Sequence, residues 1–579
     1  MSDYYGATMR LYLEKLVDWE PLLALRQGEA VDVATEVGAW GSLLDTAAAL
    51  AASFEKTARA RWSAEGELTP DGGALPPVHI RAAYEKLREA GLVSLGVGAE
   101  YGGFGLPALV NGMALEMIAR ADPSLMMVVG LQSGAANDIE KYGSEAVKRQ
   151  WLPRFTSGEV QGCMDLTEPQ AGSDLGGIST RATELPDGGV RVDGQKIFIS
   201  NGGAEVHLVL ARDAESFDAS RGTTRGLSLV LVPRHREDGS PNGVRVARLE
   251  RKLGIHGSPT CEVVFEGAVG VRLGEKGRGF QAMLDLMNAA RLGVASQALG
   301  LCEAAVHDAV SYAWQRKQFG RPIATQPLVA SMLAKMVVNT EAARALLYRT
   351  YGLLDRNLAR EAALRRDELS APERTQLQLD LERDAVRVRL LTPLCKYFAT
   401  EVCTDVTRDA LQVFGGVGFT MDSDVGKYHS DSLIMTIYEG TSEIQASFAL
   451  KEIGKGALHV VFDVVRGELA AMQDDPARAG LAKRVVEMTH LVDQAAAALS
   501  DLGYALLRAK LLAEMVIDCA AATELLHQAG ADPARLPLAE AFVHRHALDC
   551  EHKARRIQEH GGGRIGLDAR VLAALHPQG

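Results

Sequence analysis

The sequence predicts an α+β multidomain fold: helical at the N-terminal end, a middle antiparallel β-domain, then helical again to the C-terminus. Three observations predict it. The 579 residues exceed one compact domain and suggest about three or four packed units. Apolar residues make up 47% of the chain, with much Ala, Leu and Val and only 6% aromatic, which favours helix. Residues 161–275 break that texture with period-two alternation and Asp-Gly and Gly-Gly turns, as short antiparallel strands do.

Each element follows from local signals. Residues 42–62 are Ala/Leu-rich with Glu55, Lys56 and Arg59 interspersed, a helix. Asp71-Gly72-Gly73 and Pro76-Pro77 place a loop over 65–78. A helix over 79–90 ends at Gly91, and the Gly-rich stretch 91–107 cannot be one long helix. Helical patterning resumes over 108–121, 125–140 and 144–153. In the middle, VRVDGQKIFIS alternates through Val190 and Val192, turns at Asp193-Gly194, and continues through Ile197 and Ile199. VHLVLARD, GLSLVLVP and CEVVFEG are further strands, so the region reads as a sandwich or barrel. Helix returns at about 276. Leu328, Met332 and Met336, followed by Ala343 and Leu347, form one buried stripe. Residues 358–386 are charge-dense and read as a solvated linker between helices, with Ser370, Pro372 and Glu373 marking a helix start. The domain plan is 1–160, 161–275, 276–452 and 453–579. A sheet domain between helical ones places clefts at domain junctions, where ligand sites are common.

Charge narrows the partners. Lys and Arg total 62 against 74 Asp and Glu, a net −12. A chain this acidic holds neither nucleic acid nor an anionic membrane through a bulk basic surface, so any bound phosphate must be met by local groups. The seven Cys are scattered and form no CxxC pair, which reads as a reduced cytoplasmic protein with small buried thiols. The first twenty residues lack the apolar run of a signal peptide. No stretch approaches 18 uninterrupted apolar residues, so no membrane span is expected.

Five segments carry candidate chemistry. LTEPQAGSD, Leu166 to Asp174, takes a strand into a Gly-bearing loop with the hydroxyls of Thr167 and Ser173, suited to a planar polar ligand edge or to ordinary turn caps. QKIFISNGG places Phe198 and Ser200 two apart on one strand face, flanking a flat ligand or closing a hairpin. RKQFG puts Arg316 at a helix end, as a bidentate phosphate donor or a helix-dipole cap. QVFGGVGF, Gln412 to Phe419, has glycines that admit a backbone close to a pyrophosphate. IYEGTSEIQ sets Glu439 behind an aromatic, where an apolar neighbourhood would raise its pKa and make it a proton acceptor; a helix-capping Glu would look the same. GGGRIG at 561–566 matches GxGxxG but follows a charged helical segment instead of a strand, and no second βαβ half follows, so it is a chance match.

In order and spacing, these five segments resemble the acyl-CoA dehydrogenase family over roughly residues 80–452. The resemblance implies FAD-dependent flavoenzymes built from an N-terminal helical domain, a middle β-domain and a C-terminal four-helix bundle. It implies that Glu439 is the base that removes the α-proton of an acyl-CoA. Thr167 and Ser200 match contacts to the flavin pyrimidine and N5 edge, and Leu166 and Phe198 match positions packing near the isoalloxazine. Phe198 stands where Trp is frequent, and Met164 where some members have Tyr. Arg316, Phe319, Ile323 and Gln326 match the segment that reaches the FAD of a neighbouring subunit. Gln412, Gly415 and Gly416 match adenosine-diphosphate contacts, and Thr441 and Glu443 the final FAD-contacting stretch. Ser173 matches a position for both cofactor and substrate; Ser173, Arg291 and Gly440 match substrate positions, with Asn288 standing where a carboxylate partner of the Arg often occurs.

The chemistry implied is α,β-dehydrogenation to a trans-2-enoyl-CoA. Hydrogen bonds from the flavin ribityl hydroxyl and the backbone N–H of the base stabilise the developing enolate. Electrons then pass to an electron-transferring flavoprotein, in fatty acid β-oxidation, from a homodimer or homotetramer. An acyl-CoA oxidase and a non-catalytic member on the same fold are the alternatives. Residues 453–579 form an extra helical domain resembling the long branch of the family, which includes broad-range, very-long-chain and 3-methylmercaptopropionyl-CoA enzymes. HRHALDCEH within it is an amphipathic helix; His544 and His546 diverge by about 200° at 3.6 residues per turn, so no metal site is expected.

Overall fold

A computed structural model describes residues 4–28, 31–366, 369–559 and 563–575. The chain forms two compact units. The first holds Ser42–Ala304 and Gly415–Met435 with Tyr4 and Tyr5; the second holds Gly6–Gly41, Ala305–Phe414 and the chain from Thr436.

The first unit is built on seven strands, β1 (Gly162–Asp165), β2 (Arg181–Glu184), β3 (Val190–Ser200), β4 (Val206–Asp213), β5 (Leu227–Pro233), β6 (Val244–Leu249) and β7 (Thr260–Leu273). They pair in the order β1-β4-β2-β3-β7-β5. β6 joins β7, and β4 also pairs β5, so the sheet closes on itself. Closure covers the edges of β4, β2, β3, β7 and β5, while β1 and β6 each pair on one side. The expected antiparallel domain needs one correction. β4 pairs in parallel with β1 and with β2, and the other five pairings are antiparallel. Alternation marks a strand but carries no information on its partner's direction, so the sequence could not show this.

β4 is buried at every residue. One of its faces, with Val209 and Ala211, joins Val192, Val230, Val263 and Phe265 inside the barrel. Its other face, with Leu208 and Leu210, packs with Ile139, Trp151, Leu152 and Phe155 of the N-terminal helices. Burial on both faces is why VHLVLARD reads as a near-continuous apolar run. Within the barrel, His207 Nδ1 and the Cys163 thiol meet Asp165 Oδ2 at 3.0 and 3.3 Å. Burial, then the Asp165 charge, pushes the Cys163 thiol well above its ordinary range, so the thiol keeps its proton.

The N-terminal helices fall at Val78–Glu89, Ala108–Ala121, Pro123–Tyr142 and Glu145–Thr156, close to the expected ranges. Asp122 caps the third by accepting from Ser124 N at 2.8 Å and Leu125 N at 3.3 Å, with Pro123 at the first helical position. Helix Val33–Ala60 is the single described helix long and apolar enough to cross a bilayer by length and composition. Trp40, Leu44, Ala47, Ala51, Phe54 and Ala58 are its buried positions, a three-and-four spacing that gives the one-sided stripe of a helix packed in protein.

The second unit is helical. Pro327–Leu364 and Ala371–Phe414 pack along each other. This corrects the reading of 358–386 as a solvated linker, because most of it belongs to these two helices. Arg360 and Arg387 both donate to Asp384, at 2.7 and 2.9 Å, and all three are buried. Burial alone would raise the Asp384 carboxyl; the two guanidiniums bring it down to about 2. Charge density misled because these charges face each other across the helix pair. The expected start at Ser370 is present: its N–H donates to the Glu373 carboxylate at 2.9 Å, half of a capping box.

Five more described α-helices follow the expected core, at Ala457–Ala470, Ala479–Ala497, Leu502–Ala531, Leu536–Gln558 and Gly563–Leu575. HRHALDCEH lies on the helix Leu536–Gln558. His546 stacks on Phe542 and hydrogen-bonds Asp518 at 2.6 Å, while Cys550 is buried. The amphipathic packing expected there is what the helix does. In GGGRIG, positions 561 and 562 lie outside the described residues.

Candidate active site

The expected residues lie on two loops and a hairpin and are divided between the two units. In the first unit, the β1–β2 loop carries Leu166, Thr167 and Ser173, and β3 ends in Phe198 and Ser200. The Ile197 N–H donates to the Thr167 carbonyl at 2.9 Å, so these two segments are stitched side by side. Between Lys196 and Ile199 the β3–β7 register shifts, and Phe198 adopts φ +58°. A bulge with a left-handed non-glycine residue turns Phe198 out of the sheet, to 59% exposure. Thr167 and Ser200 are half-buried beside it, and among the described residues no hydrogen bond engages either hydroxyl. Ser173 is exposed at the far end of the loop.

Sequence reasoning missed what anchors this loop. Lys196 is 0% exposed. Its ammonium donates to Glu168 Oε1 at 2.9 Å, to the Leu166 carbonyl at 2.9 Å and to the Leu210 carbonyl at 2.7 Å. Glu168 also accepts from Ser179 N and Thr180 N at 2.7 and 3.0 Å. Burial would raise the Glu168 carboxyl, but the Lys196 charge and these donors pull it down to about 2. Lys196 keeps the inward phase of Val190 and Val192 but is out of phase with Ile197 and Ile199, so the sequence pattern concealed it.

Arg291 is buried and donates to Asn288 Oδ1 at 2.9 Å. The amide therefore fills the place where a carboxylate was expected, and the Arg charge is left unneutralised by that neighbour.

The second unit holds the remainder except Gly415 and Gly416, which belong to the first. The helix Gly279–Gln315 ends before Arg316, and Lys317–Gln318 pairs with Arg321–Pro322 across a two-residue turn. Phe319 and Gly320 both have positive φ, +53° and +77°, as a type I′ turn requires. The Ile323 N–H closes onto the Arg316 carbonyl at 2.8 Å. Arg316 is exposed and makes no ion pair among the described residues, and Phe319 is 93% exposed. Gln326 accepts from Arg321 at 2.9 Å, while its buried Nε2 has no partner among the described residues. Tyr312, one turn before Arg316, stacks on Phe414 with ring centroids 4.1 Å apart. Gln412, Gly415 and Gly416 are exposed, and Gly415 has φ +63°, with open space where side chains would stand.

Glu439 is half-buried at φ +54°, followed by Gly440 at φ +93°. A Cβ on Gly440 would meet Gln445 Nε2 at 2.7 Å, so only glycine fits there. Thr441 caps the helix Ser442–Gly454 by accepting from Ile444 N at 3.4 Å. Glu443 is exposed and pairs with Lys510 of the tail at 3.2 Å. Burial first, then the Glu439 charge, pushes the Tyr438 phenol well above its ordinary value.

The donor set fits a flavin dinucleotide. Unengaged hydroxyls flank an outward aromatic, an orphaned amide donor and an unpaired Arg occupy the hairpin, and side-chain-free backbone follows Gln412. Each unit's groups, taken by themselves, have the chemistry to hold part of an FAD.

Sequence models of the acyl-CoA dehydrogenase N-terminal, middle and C-terminal domains match residues 42–159, 163–268 and 277–454. The chain is 35% identical over 402 residues to the 3-methylmercaptopropionyl-CoA dehydrogenase of Ruegeria pomeroyi, covering 66% of this chain and 65% of that one. It thus spans just under two thirds of that relative's length. It is 34% identical to an acyl-CoA dehydrogenase of Bacillus subtilis, covering 62% of this chain and 86% of the relative. Among solved structures, an acyl-CoA dehydrogenase from Bacillus anthracis complexed with FAD superposes with TM-score 0.73 at 23% identity, over 93% of this chain and 92% of that one. That last likeness is one of fold.

Proposed function

The chain belongs to the acyl-CoA dehydrogenase family of oxidoreductases, and from that premise we propose that it oxidises an acyl-CoA thioester to the trans-2-enoyl-CoA with Glu439 as base. The observation that carries the reading is where backbone strain sits. Six described non-glycine residues have positive φ, and Phe198, Phe319 and Glu439 are among them. Such conformations persist where the surroundings over-determine them, and they cluster at functional sites.

Glu439 takes the α-proton on its carboxylate, while its backbone N–H donates to the thioester oxygen as negative charge develops there. Bound FAD supplies the two-electron acceptor for the β-hydride, so one C–H bond on each carbon is replaced by the C=C bond. Thr167 and Ser200 present hydroxyls, and Leu166 and Phe198 apolar surface, to the flavin ring. Arg316, Phe319, Ile323 and Gln326 serve the FAD of a neighbouring subunit, in a homodimer or homotetramer. Gln412, Gly415, Gly416, Thr441 and Glu443 hold its dinucleotide end. Ser173, Arg291 and Gly440 receive the acyl-CoA. The base needs a dry, placed carboxylate, which fits its half-buried position.

The domain plan is 1–160, 161–275, 276–452 and 453–579. Electrons leave to an electron-transferring flavoprotein, in fatty acid β-oxidation. Seven buried free thiols fit a reducing, cytoplasmic setting. Glu439→Gln is expected to retain FAD and bind acyl-CoA but to show no flavin bleaching across a panel of short, long, branched and thioether acyl-CoAs. Normal bleaching would remove Glu439 from its role. Stoichiometric peroxide in the wild type would make the protein an oxidase.

A further inference from the structure

Two fully buried polar side chains outside the groups assigned above converge on the peptide that carries Glu439. Lys396 lies within the helix Ala371–Phe414 at 0% exposure, and its ammonium donates to the Gly440 carbonyl at 2.9 Å. Gln445, also 0% exposed, sits near the start of the helix Ser442–Gly454. Its Nε2 donates to the Glu439 carbonyl at 2.8 Å and the Gly440 carbonyl at 3.0 Å.

The elbow they grip is unfavourable by itself. A left-handed backbone is sterically unfavourable for a residue with a Cβ, and Glu439 adopts one. Three N–H···O bonds on two consecutive carbonyls supply the over-determination that such a conformation needs. The amide of Gln445 shows which demand sets its orientation. Its buried Oε1 has no partner among the described residues, so the side chain is turned by the two carbonyls it serves. The opposite flip would set oxygen against two carbonyl oxygens.

We propose that Lys396 and Gln445 are positioning residues for the reaction, fixing the Glu439–Gly440 elbow so that the carboxylate and the backbone N–H of Glu439 face one substrate together. The inference rests on the reading of Glu439 as base. With the two following peptide planes pinned, the φ of Glu439 sets where its own N–H points. Release of either carbonyl lets the base and the oxyanion donor move apart, and a misplacement of about 1 Å can lower a rate about 100-fold.

The test uses the full-length, FAD-loaded protein with an acyl-CoA that the wild type oxidises. Lys396→Met and Gln445→Leu are compared for FAD content, kcat, KM, α-proton exchange into D2O across pH, and amide hydrogen exchange over 437–446. Expected is a fall of about 10–100-fold in kcat and in α-proton exchange with far smaller change in KM and FAD content. The acid limb of the exchange profile should move up in Lys396→Met, since a nearby positive charge is lost. Amides over 437–446 should exchange faster. A wild-type kcat and pH profile in either folded variant would overturn the inference, as would a rate loss accounted for by lost FAD. If Lys396→Met does not fold, Gln445→Leu decides by the same criteria. Normal turnover by Glu439→Gln would instead overturn the base assignment. A dead Glu439→Gln beside fully active Lys396→Met and Gln445→Leu would overturn the positioning role alone.

Discussion

Lys196 and Glu168 illustrate how single side chains decide the local chemistry. Both are buried, 0% and 1% exposed at their side chains, and each satisfies the other. A buried pair is weak evidence of net stability, but removing one partner leaves an uncompensated charge. Glu168→Gln is therefore expected to destabilise the first unit by about 3–5 kcal/mol in urea unfolding, because the Lys196 ammonium would remain buried. A loss below about 1 kcal/mol would mean that water reaches Lys196. The pH dependence follows in sign. The folded Glu168 carboxyl sits at about 2, below its usual 4.5. Its contribution is complete above about 4.5 and is lost as pH falls toward 2. Neither residue was singled out from the sequence. A charged letter in an alternating strand reads as solvent-facing until the other face is known to be covered. Phe198 and Glu439 were legible as candidates, yet their left-handed backbones were not, because φ depends on neighbours distant in sequence.

At the scale of elements, most helices could be read and their ends explained. The helix Pro123–Tyr142 begins where Asp122 can cap it and Pro123 can lead. Burial raises the Asp122 carboxyl to about 6, against the pull of the backbone donors it caps. Asp431 behaves alike. It accepts from the Trp62 indole at 3.0 Å and from the Ile255 N–H, and burial pushes it up to about 7. In both cases the folded state binds more protons than the unfolded chain between roughly pH 4 and 7, so stability falls as pH rises through that window. Asp431→Asn should flatten this decline, read as the unfolding free energy in urea at pH 5, 6 and 7.5. An unchanged slope would show that Asp431 stays ionised throughout. The strands were legible from alternation, but the parallel pairing of β4 with β1 and β2 was not. The charge-dense stretch 358–386 failed for a related reason: Arg360, Asp384 and Arg387 neutralise one another between two helices, which a one-dimensional charge count cannot register.

Over the whole molecule, the tail beyond the family core is integral to the second unit. Arg349 pairs with Glu468, Glu524 accepts from the Tyr12 hydroxyl at 2.8 Å, and Arg535 reaches Glu341 at 2.8 Å. Tyr397 donates to Glu514 at 2.7 Å, and the helix Leu502–Ala531 buries Leu512, Val516, Leu525 and Leu526. Truncation after Gly456 would leave Arg349 and Tyr12 without these partners and expose an apolar helix face. The truncated chain is expected to lose cooperative unfolding of the second unit by circular dichroism and to be cleaved rapidly by trypsin. A truncated protein with the wild-type melting profile would show the tail to be dispensable. By itself the sequence determined the order of helical, β and helical regions, the family, and the identity of the candidate site residues. Those properties are written in local periodicity and in short motifs. Tertiary structure alone decided the closed mixed sheet, the buried ion pairs, the strained elbow at Glu439 and the grip of Lys396 and Gln445 on it. The physical reason is desolvation. Whether a charge is a liability or an anchor depends on which distant groups share its dry environment, and chain order does not contain that.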